Sequence, residues 1–253
     1  MTDRILSEHD HGVALLTIDA PDSRNALTLD LSAELAAALA RAEADEDVHA
    51  VIVTGTPPAF CAGADLSTLG EADADGLRSV YAGFLAVAEC SLPTIAAVGG
   101  AAVGAGLNLA LATDVRLAGP RAKFLARFLE LGLHPGGGMT WMIQRLAGPQ
   151  QATAMTLFGE VLDAHAAVRA GLALRVVEGG HDALISAARA LAAPAVAAPR
   201  EVLVSTKRTM RLTSGLTEHP AAVDAELRPQ LESLAAPAFA ERLAAMKARI
   251  SAR

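Results

Sequence analysis

The chain has 253 residues, 52% of them hydrophobic and 19% charged, with a formal net charge of −7. That balance argues against nucleic acid as a partner, because neutralising phosphates needs a basic surface. The apolar residues come in groups far shorter than the roughly 20 of a membrane span, so no membrane partner is expected either.

The N-terminus, MTDRILSEHDHG, has acids and histidines where a secretion signal needs a basic start and an apolar run, and the only cysteines are Cys61 and Cys90. Reduced thiols, a cytoplasmic location and no metal site are therefore expected. GVALLTID (12–19) reads as a strand ending in the turn signal PDSRN (21–25). Residues 28–44 space Leu31, Leu35 and Leu39 four apart, the pattern of an amphipathic helix. AVIVTG (50–55) is a buried strand that runs into the loop PPAFCAGADLS, and residues 75–91 form a helix closed by Pro93. TIAAVGG (94–100) is a third strand, followed by a glycine turn and a helix to about Thr113; DVRLAG (114–119) is a fourth. Strands alternating with helices predict an α/β fold with a largely parallel sheet, with ligand sites outside the carboxyl ends of its strands. The glycine loops at 62–64 and 104–106 fall there. Beyond residue 136 the chain is mainly helical, with one more strand in LALRVVE (172–178). The breakers in APAVAAPRE (193–201) set off a C-terminal part, in which Leu203, Leu227, Leu231, Leu234, Leu243 and Met246 follow helical spacing.

The stretch AAVGAGLNLA (101–110) admits three readings. A phosphate loop would need a lysine after the glycines, and a dinucleotide fingerprint would need a third glycine; neither is present. A tight strand-to-helix turn needs only small residues. The third reading is that a helix N-terminus offers unpaired backbone N–H groups to an oxygen gaining negative charge. Ala62, Gly63 and Ala64 have the same character, and two such donors make an oxyanion hole.

SRNAL (23–27), AFCAGADL (59–66), TIAAVGGAAVGAGLNLALATDVRLA (94–118) and FLELGLHPGGG (128–138) together resemble the enoyl-CoA hydratase/isomerase superfamily, also called crotonases. The resemblance covers about residues 10–178, and AFAERLAAMKARI near the end resembles the family's trimerisation region. It implies an acyl-CoA-binding core of repeated ββα units over residues 1–195, and a helical oligomerisation segment over 196–253, forming a homotrimer or a dimer of trimers. The implied substrate is an acyl-CoA thioester of fatty acid metabolism, with coenzyme A part of the substrate and no separate cofactor. Its carbonyl oxygen would be held by the N–H groups of Ala64 and Ala105. Ala62, Ala64, Asp65, Leu66 and Ser67 would line the CoA channel, Asp65 also ordering its loop, and Arg24 would lie near the nucleotide end of CoA.

Hydratases of this family use two glutamates, and the matching positions here are Asn108 and Phe128. Asn108 lies one turn beyond Ala105, where its amide can hydrogen-bond water or substrate without changing charge. Phe128 offers an apolar wall. Glu130 would share the face of Phe128 if the segment is extended and point away if it is helical. His134 precedes Pro135 and can titrate near neutral pH. Three outcomes stay open: another residue carries the proton, the reaction is a different one such as isomerisation or thioester hydrolysis, or the protein binds acyl-CoA without turnover.

Overall fold

The computed structural model describes residues 3–65 and 73–251. Its main sheet has six strands in the order β1 (Arg4–Asp10), β2 (Val13–Asp19), β3 (Ala50–Gly55), β4 (Thr94–Val98), β6 (Val115–Ala118) and β9 (Arg175–Val176). β1 is antiparallel to β2, and every later pairing is parallel. Strand alternation divides the core in two. Ala14, Leu16, Val51, Val53, Ala96 and Val98 face the larger cluster, whereas Val13, Leu15, Ala50, Ile52, Ile95 and Ala97 face the other. Central parallel strands covered on both faces are apolar at consecutive positions, as AVIVTG is.

Helix α1 (Leu29–Ala44) starts where Thr28 Oγ1 accepts from Leu31 N at 3.1 Å, and it buries Leu31, Leu35 and Leu39. α2 (Ala74–Glu89) is capped by Asp73 and packs on α1 through Gly83, where a Cβ would come within 2.9 Å of Ser32 O. α3 (Ala105–Ala112) is the short helix after the glycine turn. The opposite face of the sheet is covered by α6 (His181–Val196) through Leu184, Ala188 and Ala192. A second sheet joins β5 (Ala101–Val103), β7 (Lys123–Leu125) and β8 (Leu162–Asp163); α4 (Met139–Leu157) packs on α3, and α5 (Ala164–Arg169) packs on β8. Helices α7 (Arg200–Thr213), α8 (His219–Ala235) and α9 (Pro237–Ser251) complete nine α-helices among the described residues.

Four details differ from the sequence reading. β1 was not expected, because RILSEHD is polar at most positions; its pairing to β2 leaves it at an edge, largely exposed. The strand over 172–178 contracts to Arg175–Val176, since only those residues pair with β6. The glycine turn at 104 follows β5 of the second sheet rather than β4. The chain stays helical through Pro194 to Val196, so the breaker stretch 193–201 begins inside α6. No described helix is long and apolar enough to cross a membrane.

Candidate active site

Asn25, in an αL conformation and fully buried, organises the first loop. Its Oδ1 accepts from Ala20 N at 3.0 Å, and its Nδ2 donates to Thr56 O at 2.8 Å and Ala59 O at 2.9 Å. This ties the turn after β2 to the segment leaving β3. The next residues then pair as an isolated parallel bridge: Leu27 N donates to Gly63 O at 2.7 Å, and Asp65 N donates to Leu27 O at 2.9 Å. In such a bridge the residue between, Ala64, turns its own N–H to the opposite side.

The second loop is laid against the first. Cys61 N donates to Ala101 O at 3.0 Å, and Val103 N donates to Cys61 O at 3.0 Å. Gly104 N is taken by Leu125 O at 3.0 Å. Gly104 has φ +52°, which glycine adopts without strain, and the chain then enters α3. As the first helical residue, Ala105 has no intrahelical acceptor for its N–H. Gly106 permits the close approach, since a Cβ there would lie 2.2 Å from Cys61 O. A Cβ at Gly63 would lie 3.9 Å from Ala105 N, so the two turns sit side by side. Among the described residues neither Ala64 N nor Ala105 N has a hydrogen-bond partner.

Both alanines line a cavity of about 360 Å³ whose walls are mostly apolar: Leu77 and Val80 from α2, Val103, Phe128, Leu131 and Leu133. Ala62 also lines it, as do Asn108 and His134. Phe128 lies over the glycine turn, its ring edge 4.0 Å from where a Gly104 Cβ would be. Asn108 is 1% exposed; its Nδ2 donates to Gly136 O at 2.9 Å, while its Oδ1 has no partner among the described residues. His134 is exposed, with Nδ1 2.7 Å from Pro135 O.

Glu130 lies in a 3₁₀ turn, Leu129–Leu131, exposed and 3.6 Å from Arg127 Nε, and is not among the described residues lining the cavity. The helical alternative thus separates it from Phe128. Arg24 is exposed outside the cavity, and its carbonyl accepts from Ala62 N at 3.0 Å, so its backbone shapes the first turn while its side chain points to solvent. Asp65 adjoins Ala64 through the bridge to Leu27. Leu66 and Ser67 lie outside the described residues. Cys61, beneath the first turn, has its thiol pushed up to about 12 by burial, which keeps it protonated and unreactive.

Tyr81 and Arg127 also line the cavity, and the sequence reading singled out neither. Tyr81 is the only tyrosine in the chain and sits in the apolar stripe Leu77–Val80–Tyr81–Phe84, where it reads as core packing. A larger groove, of about 510 Å³, runs between α7 and α8 and contains neither glycine turn. No group of three His, Cys, Asp or Glu among the described residues could hold a metal ion.

A family model described as enoyl-CoA hydratase/isomerase matches residues 8–245. The chain is 56% identical over 256 residues to the probable enoyl-CoA hydratase EchA14 of Mycobacterium tuberculosis (strain ATCC 25618 / H37Rv), covering 98% of each. It is 36% identical over 186 residues to the 1,2-epoxyphenylacetyl-CoA isomerase of Escherichia coli (strain K12), covering 70% of this chain and 71% of that one. The crystal structure of an enoyl-CoA hydratase from Polaromonas sp. JS666 matches with a TM-score of 0.89 at 29% identity, covering 97% of each chain. With the sequence match running through both glycine turns and the structural match spanning nearly the whole fold, the chain belongs to the enoyl-CoA hydratase/isomerase family and has the crotonase fold.

Proposed function

We propose that this hydratase/isomerase-family enzyme binds an acyl-CoA thioester with its carbonyl oxygen between Ala64 N and Ala105 N, and stabilises the enolate that forms when a proton leaves the α-carbon. The observation carrying this reading is the pair of backbone N–H groups, without a partner among the described residues, set side by side at an apolar cavity. Charge collecting on the thioester oxygen needs donors already in place, and each is worth about 3 to 4 kcal/mol in comparable sites. The apolar walls exclude water and strengthen the interaction. The N-terminus of α3 adds its partial positive charge at Ala105.

Two carboxylates do not flank this carbonyl at the positions of Asn108 and Phe128, so water addition by the two-glutamate route of hydratases is not supported. Among the described residues the cavity's groups able to move a proton are His134 and Tyr81. The E. coli relative is named as an isomerase of an acyl-CoA ester, which supports a reaction other than hydration within the same family.

Mixing the protein with crotonyl-CoA and following the conjugated thioester absorbance tests this directly. Turnover is expected to fall about a hundredfold or more below that of a two-carboxylate hydratase. Calorimetry with crotonyl-CoA and butyryl-CoA is expected to show binding; failure of both to bind would overturn the acyl-CoA reading. The same proposal includes assembly as a homotrimer or dimer of trimers, supported by α8 and α9, which bury none of their residues.

A further inference from the structure

The loop HPGG (134–137) is pressed onto the two helices that frame the cavity. Asn108, one turn beyond Ala105 in α3, donates from Nδ2 to Gly136 O at 2.9 Å. On the side of α2, a Cβ at Gly136 would collide with the Tyr81 hydroxyl and one at Gly137 with the Phe84 ring, so glycines permit this approach. The histidine that opens the loop lines the same cavity as Ala64 and Ala105 and is also exposed to solvent. Its Nδ1 lies 2.7 Å from Pro135 O. A carbonyl oxygen can only accept, so Nδ1 carries the ring hydrogen and Nε2 of the neutral ring keeps its lone pair. The same bond holds the imidazole in place and strengthens when the ring becomes charged, the part played by an orienting acceptor behind a histidine base. Of the other polar side chains on the cavity among the described residues, Asn108 is an amide, Arg127 a cation and Tyr81 a phenol, none of which is a base as neutral imidazole is.

We infer that His134 Nε2 is the base that takes the α-proton from the bound thioester. The C–H electron pair moves into the carbon–carbon bond of the enolate, the charge moves to the oxygen between Ala64 N and Ala105 N, and the proton is held on Nε2 of the imidazolium. Returned to the α-carbon, the proton restores the ester; returned to the γ-carbon of a 3-enoyl ester, it leaves the conjugated 2-enoyl ester. The exposure of His134 lets the same proton exchange with solvent. The inference rests on the acyl-CoA reading of the cavity.

The test uses the full-length protein in D₂O with 3-butenoyl-CoA, deuterium entering the ester being followed by mass spectrometry and butyryl-CoA binding by calorimetry. Wild type is expected to incorporate deuterium, and His134→Ala to do so about 100-fold or more slowly. Retained butyryl-CoA binding by His134→Ala reports that the variant is folded. Added imidazole is expected to restore part of the lost exchange, which it does for a missing base and not for a missing structural contact. Loss of exchange that imidazole does not restore gives His134 a structural role and overturns the assignment. Exchange that His134→Ala leaves unchanged, or that falls in Tyr81→Phe alone, overturns it too, as does wild type that binds butyryl-CoA but exchanges no proton of 3-butenoyl-CoA. Failure of wild type to bind either ester overturns the acyl-CoA reading itself.

Discussion

Ala105 does its proposed work through an atom that every residue except proline carries, which makes proline the informative substitution. It is the first residue of α3, a position where proline fits a helix well and removes only the N–H. Ala105→Pro is therefore expected to keep the circular dichroism of the wild type while lowering kcat for an acyl-CoA substrate about 100- to 1000-fold. A variant with unchanged kcat would remove Ala105 from the oxyanion hole. Cys61 gives a contrasting case, a nucleophile by residue type that its surroundings silence. Burial pushes its thiol up to about 12 and that of Cys90 up to about 11, from 9.0. Neither is expected to react with a disulfide reagent at pH 8 until denaturant is added. The folded chain holds these protons where the unfolded chain releases them. Their contribution to stability is thus complete below pH 9 and is lost as pH rises towards 11 to 12. Denaturation midpoints measured from pH 8 to 11 should fall with pH, and fall less in a Cys61→Ala variant.

At the scale of elements, α3 is placed by its two ends. Arg116, buried beyond its C-terminus, donates to Thr113 O at 2.6 Å and Leu172 O at 2.6 Å, locking the helix to the strand that follows it. Desolvation lowers the Arg116 pKa to about 10, which still leaves it charged at neutral pH, where a cation favours a helix C-terminus. α7 is held to the core in a similar way. Lys207 Nζ donates to Leu92 O at 2.6 Å and to Asp114 Oδ2 at 2.5 Å, while Arg211 donates to Ala88 O and Cys90 O at the end of α2. Burial of Lys207 disfavours its charge, and the facing Asp114 opposes that effect. Lys207→Met should cost about 2 kcal/mol, less than a fully buried pair would lose because Asp114 is part exposed and keeps its bonds to Thr94. For a chain of this size that lowers Tm by about 4 to 8 °C, measurable by scanning calorimetry. An unchanged Tm would show that the Lys207–Asp114 pair adds nothing to the hold on α7.

For the whole molecule, the C-terminal helices leave Leu227, Leu231, Leu234, Phe239, Leu243, Met246 and Ile250 exposed, in stripes of helical period. A stripe of that length on a free chain favours self-association. Light scattering after size exclusion should give three or six times the mass of one chain, and a monomer at micromolar concentration would refute the proposed assembly. The strands at 13–19 and 50–55 and the helix α1 were legible because burial on one or both faces writes a period of 2 or 3.6 into the residues themselves. The glycine turns were legible as motifs for a related reason: φ > 0 at Gly104 and the close approach at Gly106 both demand glycine. β1 was not legible, because an edge strand held by main-chain bonds can be polar throughout. Nor was Tyr81, whose spacing matches a core stripe until Gly136 places a neighbour's backbone against its hydroxyl. By itself the sequence determined the strand and helix periods, the small residues at both turns and the absence of glutamate at positions 108 and 128. Only the tertiary structure decided that Ala64 and Ala105 line one cavity, that Glu130 turns away from Phe128, and that the Asn108 carbonyl finds no partner among the described residues. Such pairings depend on which backbone groups a neighbouring segment has already engaged, and local sequence does not encode that.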